Sequence, residues 1–339
     1  MKQNVSVRVG VNGFGRIGRV FYRAALEDKA SFNIVAVNDV TDARTMAHLL
    51  KFDSIHGRLD AEVSVKNNSF SVNGKETRAF SFKNPAEIPW KQFGVDIVIE
   101  STGLFTKKED ASKHLSSGVK KVIIAAPSKD ADRMILPGIN DDQYDPEKHT
   151  VISMGSCTTN CVAPVAKVLD DCFGIIHGFM VTVHAYTNDQ RVLDLPHKDI
   201  RRARAAGLSI IPTTTGAAAS IGVVLPKLKG KLDGVSLRVP VQDGSVLDLT
   251  AELHREVTVD SVNEAFREAA NHGLKSILEY STDPLVSVDI IGNPNSAIFD
   301  SLSTMVVDRR MVKVLAWYDN EWGYSCRLLD LIKLMTGTD

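Results

Sequence analysis

The stretch Val5-Ser6-Val7-Arg8-Val9-Gly10-Val11-Asn12-Gly13-Phe14-Gly15-Arg16-Ile17-Gly18 decides the architecture. Residues 5–11 alternate and are rich in valine, the pattern of a strand. Glycines follow at once, and Ile17, Val20, Phe21 and Ala24 then recur on one face of a helix. Strand, glycines and helix in this order form the context that a dinucleotide fingerprint requires. Gly13 permits a tight turn, Gly15 lets a pyrophosphate approach the backbone, and Gly18 lets the helix pack close to the strand.

Outward from this stretch the alternation of strand and helix continues. Residues 34–38 read as a second strand ending in Asp39. A carboxylate there accepts hydrogen bonds from ribose hydroxyls and repels a 2'-phosphate, which favours NAD over NADP; a solvated strand-end acid is the alternative. Residues 65–78, with Asn73-Gly74 inside, read as an inserted antiparallel hairpin. Residues 96–100 form a buried type of strand that carries Ser101, Thr102 and Gly103 at its carboxyl end, where a doubly wound sheet meets its ligand. A helix over 108–116, a strand over 121–125 and a last strand over 151–153 complete an α/β half.

The chemistry centres on Ser156-Cys157-Thr158-Thr159-Asn160-Cys161, ahead of a helix expected over 162–172. A helix N-terminus lowers a thiol's pKa, and the hydroxyls of Ser156 and Thr158 suit an anionic substrate. The stretch implies covalent acyl chemistry on a phosphate- or carboxylate-bearing molecule. A capping serine beside a structural cysteine reads the same way, and CxxxC alone is a weak zinc signal with no second pair to support it. A cysteine nucleophile needs a base, and His184, at the end of strand 181–184, is the candidate. Thr213-Thr214-Thr215-Gly216 before a helix is a second anion cradle, and Arg238 within strand 235–239 calls for an anionic partner.

Beyond the helix, strands are expected over 181–184, 235–239, 246–253, 286–289, 297–302 and 312–318, most with no helix between them. This predicts an α+β domain with a mostly antiparallel sheet and helices on one face, the helices at 216–225 and 260–271. The polar stretch 187–208 has little periodicity, and its basic run 198–204 points to phosphate binding or subunit contact. A last helix over 325–335 is expected to return to the first domain.

The bulk properties exclude several classes. The 339 residues suffice for two domains; 44% are hydrophobic, 24% charged, and the net charge is -1. No bulk field favours nucleic acid or an acidic membrane. Four cysteines make no disulfide framework and fit a reducing compartment. No signal peptide or membrane span is legible, so a cytoplasmic protein without a metal is expected.

GFGRIG (13–18), SCTTNC (156–161), TVHAYT (182–187), TTTGAA (213–218) and WYDNEWGYS (317–325) together resemble the phosphorylating glyceraldehyde-3-phosphate dehydrogenases, in order and over essentially the whole chain. The resemblance implies a Rossmann NAD-binding domain over 1–156, completed by 320–339, and a catalytic domain over 157–319. It implies NAD-dependent oxidative phosphorylation of glyceraldehyde 3-phosphate by a homotetramer built around 187–208. Cys157 resembles the nucleophile and His184 its base, with the Cys157 amide as oxyanion donor. Arg16, Ile17, Asp39 and Asn320 match cofactor contacts, Asn320 on the nicotinamide amide, with Tyr324 near the same ring. Thr187, Asp189 and Arg238 match the site for the substrate's phosphate ester. Ser156, Thr158, Arg202, Thr215 and Gly216 match the inorganic phosphate site. Leu195-Pro196 matches a pair in NAD-using members. Departures are Met154-Gly155 in place of Asn-Ala, Ala125 in place of a hydroxyl, and Lys83 in place of an arginine near the adenine. Residues 241–244 replace a proline-containing turn, a change read as neutral. Neighbouring readings are erythrose-4-phosphate dehydrogenase, a semialdehyde dehydrogenase, and a binding protein that has lost catalysis.

Overall fold

The computed structural model describes residues 7–337. Within them the chain divides into two units: residues up to Gly155 together with those from Ser325 onward, and Ser156–Tyr324.

The first unit carries β1 (Arg8–Asn12), α1 (Arg16–Glu27), β2 (Asn33–Asn38), α2 (Ala43–Lys51) and the short pair β3 (Phe52–Asp53) and β4 (Gly57–Arg58). There follow β5 (Val63–Lys66), β6 (Ser69–Val72), β7 (Lys75–Phe80), β8 (Ile97–Glu100), α3 (Lys108–Ala111), β9 (Lys121–Ile124), β10 (Arg133–Met134) and β11 (Val151–Ser153). Nine strands form one sheet in the order β10-β11-β9-β8-β1-β2-β7-β6-β5. It is parallel from β10 to β7, and β6 and β5 extend it antiparallel. Val9, Val11, Val37, Val98, Ile99, Val122, Ile123 and Val151 are all fully buried, as in a sheet covered on both faces. α1 turns Val20, Phe21 and Ala24 inward, as its period requires.

Two expectations for this unit need correction. The hairpin expected over 65–78 is three strands. Asn73 and Gly74 take φ of 50° and 78°, the two left-handed positions of a primed turn, but β7 then pairs parallel with β2 and so belongs to the main sheet. The helix expected over 108–116 is one α turn, α3, continued as a tighter 3-10 segment (Ser112–Ser117). The first two residues of the expected first strand, Val5 and Ser6, lie outside the described residues.

The second unit carries α4 (Cys157–Phe173), β12 (Ile175–Ala185), β13 (Ile211–Thr214), α5 (Ala217–Val224), β14 (Leu232–Val239) and β15 (Ser245–Leu253). It continues with α6 (Val259–Asn271), β16 (Leu278–Ser281), β17 (Ala297–Val307) and β18 (Met311–Tyr318), and α7 (Trp322–Thr336) begins within it. Its sheet runs β13-β14-β12-β15-β18-β17-β16. Four of the six pairings are antiparallel. Helices α4, α5 and α6 pack on it, while Phe179, Val235, Leu302, Met305 and Val307 are left exposed. α4 begins five residues before the helix expected from 162, because the Ser156 hydroxyl caps the Thr159 amide at 3.1 Å and Thr159 reaches back to the Ser156 amide. Residues 286–289, expected as a strand, are corrected to a 3-10 turn (Ser287–Ile290). The Asp289 carboxylate accepts from the Val286 amide at 2.8 Å, a local bond that competes with any ladder.

Asp53 ties α1 to the β3–β4 corner. Burial would raise its pKa, but the Arg16 guanidinium and the His56 and Ile55 amides overcome this and hold the carboxyl at about 2. Its side chain is 1% exposed. A depressed carboxyl stabilises the fold above its unfolded pKa, and that contribution disappears as pH falls through the folded value. Asp53→Asn should therefore lower the unfolding free energy at pH 7 by about 2 kcal/mol. Denaturant titrations of variant and wild type should converge as pH falls from 4 toward 2.

Candidate active site

In the first unit the glycine turn has the shape the sequence requires. Gly13 has φ of 89°, and a Cβ on it would lie 2.6 Å from the Thr102 amide nitrogen. A Cβ on Gly18 would lie 2.3 Å from the Gly13 carbonyl oxygen, so helix and strand meet closely. Gly15 caps α1 with no side-chain bond, and nothing stands within 4 Å of where its Cβ would be. That open cradle, facing the amides of Arg16, Ile17 and the rest of the first helical turn, fits a dinucleotide's pyrophosphate.

The turn rests on Ser101 and Thr102 together with buried polar groups that sequence reasoning missed, Asn12, Glu100 and His114. Ser101 Oγ donates to the Gly13 carbonyl at 2.7 Å. Glu100, 2% exposed, accepts from Asn12 Nδ2 at 2.5 Å, the Thr102 amide at 2.9 Å and the Thr102 hydroxyl. His114 Nε2 lies 3.0 Å from the same carboxylate, and the Trp90 indole N–H donates to His114 Nδ1 at 3.0 Å. An indole only donates, so the imidazole proton sits on Nε2 and points at Glu100. The usable signal was an acid ending an otherwise apolar strand. On the other side, Asn38 bonds Asn12 and both backbone groups of Phe82, which fixes the approach to Lys83; Lys83 is exposed. Asp39 follows β2 half-buried, its carboxylate accepting from the Val40 amide at 2.7 Å. Thr102 is part-buried and Gly103 exposed beside this turn. Of the departures, Ala125 bonds the Glu100 carbonyl through its amide, and Met154 is fully buried in the core.

In the second unit Cys157 Sγ lies 3.3 Å from His184 Nε2. Cys157 is the first residue of α4, so its amide has no intrahelical acceptor. His184 is the penultimate residue of β12, 3% exposed, with its ring edge against Tyr318 (5.9 Å between centroids, 76°). Its Nδ1 approaches the Ala185 carbonyl at 2.6 Å. Only an N–H sits that close to a carbonyl oxygen, so the proton is on Nδ1 and the Nε2 lone pair faces the sulfur. Arg238 Nη1 donates to the same carbonyl at 3.2 Å and lies 2.9 Å from Nδ1.

The expectation of a depressed thiol pKa needs correction. Burial pushes Cys157 up to about 11, with the Arg238 guanidinium and the hydroxyl and amide of Thr158 only partly offsetting it. Burial, then Arg238, pushes His184 down to about 3. A lone thiolate or a lone imidazolium is thus disfavoured. Moving one proton along the 3.3 Å line leaves the pair with no net charge, so the imidazole, more than the helix end, is what lets the sulfur ionise.

The anion residues divide. Thr158 Oγ1 bonds Tyr318 Oη at 2.9 Å, and the same phenol bonds Thr182 at 2.7 Å; Ser156 Oγ is engaged in the helix cap. Arg202 pairs with Asp189 and donates to Thr213 Oγ1 at 2.9 Å, while His197 Nε2 lies 3.2 Å from Asp189. Thr187 is exposed, Thr215 Oγ1 accepts from the Ala217 amide, and Gly216 is the exposed residue before α5. Arg238 Nε is buried with no hydrogen-bond partner, a donor that awaits an anion. Asn320, 5% exposed, accepts at Oδ1 from Ser245 Oγ at 2.7 Å. Tyr324 is 4% exposed. Ser245 and Tyr318 are further residues that the sequence did not single out.

A doubly wound dinucleotide-type sheet, with a second unit that opens a helix on a cysteine paired to a histidine, defines a cysteine-dependent dehydrogenase. The family follows from comparison with known proteins. Residues 7–108 match the model described as glyceraldehyde 3-phosphate dehydrogenase, NAD binding domain, and residues 156–320 the model of its C-terminal domain. The chain is 61% identical over 327 residues to glyceraldehyde-3-phosphate dehydrogenase 2 of Streptomyces avermitilis, covering 96% of this chain and 98% of that one. It is 62% identical over 328 residues to glyceraldehyde-3-phosphate dehydrogenase of Streptomyces coelicolor (96% and 98%), and 61% over 327 to glyceraldehyde-3-phosphate dehydrogenase of Geobacillus stearothermophilus (96% and 97%). The chain belongs to the glyceraldehyde-3-phosphate dehydrogenase family.

If His184 accepts the thiol proton, His184→Asn should shift the pH profile of Cys157 alkylation by iodoacetamide upward, toward the raised value that burial sets. At pH 7 the rate should fall at least tenfold. An unmoved profile would remove His184 as the acceptor.

Proposed function

We propose that the chain oxidises glyceraldehyde 3-phosphate and captures the product on inorganic phosphate, with NAD as cofactor, in the cytoplasm. The observation that carries the reading is the 3.3 Å contact between Cys157 Sγ and His184 Nε2 at the start of α4. On this reading residues 1–156, completed by 320–339, bind NAD, and 157–319 carry the chemistry. NAD, when bound, supplies the hydride acceptor that turns a thiohemiacetal into a thioester. The glycine turn, Arg16, Ile17, Asp39, Lys83, Ser101, Thr102 and Gly103 hold it, and Asn320 and Tyr324 meet its nicotinamide.

Cys157 Sγ attacks the aldehyde carbon as its proton passes to Nε2 of His184, and His184 returns that proton to the aldehyde oxygen to give the thiohemiacetal hydroxyl. The Cys157 amide faces the oxygen while it carries charge. His184 then receives that hydroxyl proton as the carbonyl of the thioester re-forms. Inorganic phosphate adds to the thioester carbon, the C–S bond breaks, and the sulfur leaves as thiolate and recovers its proton. Arg238, with its unpartnered buried Nε, and Thr187 hold the substrate's phosphate ester. A carboxylate repels phosphate, so Asp189 serves by holding Arg202, which with Thr215, the Gly216 region, Ser156 and Thr158 receives inorganic phosphate. All four cysteines are free, in keeping with a reducing compartment. No helix among the described residues is long and apolar enough to cross a membrane.

NADH formation should require both glyceraldehyde 3-phosphate and phosphate for sustained turnover, and should be much weaker with NADP or erythrose 4-phosphate. Cys157→Ser should abolish it while NAD binding by calorimetry survives; loss of both together would make the cysteine structural.

We also propose a homotetramer. Val192, Leu193, Leu195, Ile200, Leu208 and Ile210 are exposed along the 187–208 loop and just beyond it, and Phe179, Met305 and Val307 on the sheet. Apolar residues gathered in this number mark an interaction surface. Sedimentation should give four subunits, and Ile200→Glu should shift the distribution to smaller species; a monodisperse monomer in the wild type overturns the assignment.

A further inference from the structure

We propose that Ser245 is a positioning residue that joins the base His184 to the cofactor-holding Asn320 and sets which end of the Asn320 amide a ligand meets. The proposal rests on the reading of Asn320 given above. Ser245 opens β15, which lies between β12, the strand that carries His184, and β18, whose end leads two residues on to Asn320. It is fully buried. Gly244 places it there: with φ of 80°, and a Cβ that would lie 2.1 Å from the Ser287 carbonyl oxygen, that position accepts no side chain.

The hydrogen bonds run in one direction. The Ala185 N–H can only donate, and it donates to Ser245 Oγ at 3.1 Å. The Ser245 hydroxyl then donates to Asn320 Oδ1 at 2.7 Å. Ala185 is also the residue whose carbonyl holds His184 Nδ1–H at 2.6 Å. One peptide segment thus anchors the base through its oxygen and the Asn320 amide through its nitrogen, with Ser245 as the link.

The consequence concerns the amide's two faces. An asparagine side chain turned over by 180° has nearly the same shape but exchanges a donor for an acceptor. With Oδ1 committed to Ser245, only the NH2 end remains for a ligand, and it matches a carboxamide oxygen. Without the hydroxyl both orientations are open, and the nicotinamide loses the contact that distinguishes its two faces. The Ala185 amide also loses its acceptor, which loosens the carbonyl that orients His184.

The test uses the full chain, with deuterated glyceraldehyde 3-phosphate, and reads the face of the reduced cofactor that carries deuterium by proton NMR. Ser245→Ala should raise the KM for NAD about tenfold, roughly the worth of one hydrogen bond. It should leave the KM for the aldehyde within about twofold and place detectable deuterium on the second face. Ser245→Thr, which keeps the hydroxyl, should retain single-face delivery. Should Ser245→Ala fail to fold, Ser245→Cys, close in size with a weak donor, should show the same loss at smaller amplitude. Asn320→Ala separates the two ideas. If it changes neither NAD affinity nor facial selectivity, the role given to Asn320 is wrong. If it erodes both while the Ala and Cys variants of Ser245 keep wild-type values, Ser245 is not the link.

Discussion

One proton has to serve a buried imidazole and a half-buried thiol. Around Cys157 and His184 the protein has removed enough water that neither charges alone, yet the chemistry proposed for the pair needs a sulfur anion. The arrangement that reconciles these facts is a donor–acceptor pair whose net charge never changes. That pair demands an imidazole with its lone pair on Nε2, and the demand propagates outward. The Ala185 carbonyl must take the Nδ1 proton at 2.6 Å, Tyr318 must hold the ring edge-on, and the Ser156 cap must start α4 at Cys157. Tyr318 serves twice, because its phenol also engages Thr158 and Thr182 and so ties the helix start to the strand that bears the histidine.

The cofactor turn obeys the same economy of polar groups. A glycine loop approached by a pyrophosphate cannot be braced by side chains on its outer surface, so the bracing lies beneath it. Glu100, His114, Trp90 and Asn12 form a network in which every donor named has an acceptor. Buried polar groups are costly unless satisfied, and satisfied they admit one arrangement only. Rigidity of the turn is bought there and not by the glycines, whose contribution is space.

The fold was legible where one principle acts alone. Valine-rich strands followed by glycines and an amphipathic helix left little choice in the first half, and Cys157 was placed near a helix N-terminus from the helix read over 162–172. Legibility failed where a side chain competes with the backbone. Thr158, Thr159 and Asn160 are weak helix formers, yet a capping box and burial on all sides carry the helix through them. Val286 and Val288 suggest a strand, but both are exposed and Asp289 closes a turn. β13 was missed because Pro212 speaks against a strand, although this one lies at the sheet's edge where proline is tolerated. The site was legible as residue types; the tautomer of His184, the links through Tyr318 and Ser245, and the sign of the thiol shift depend on burial and distance, which no local pattern encodes.

The two arginines assigned to anions differ in a way that bears on turnover. Arg202 already has a carboxylate, Asp189, and the hydroxyl of Thr213. An incoming phosphate there competes with partners in place, so its net gain is small. Arg238 keeps a buried Nε without an acceptor, and its charge lies against a histidine that cannot welcome it. A phosphate ester relieves both costs at once. On the proposed reading the group that must stay through every step, the substrate's own phosphate, is assigned to the arginine that gains most from it. The phosphate that must arrive, react and leave with the product is assigned to the one that gains least. Equal affinity at both would either release the thioester's phosphate end too early or hold the acyl phosphate too long.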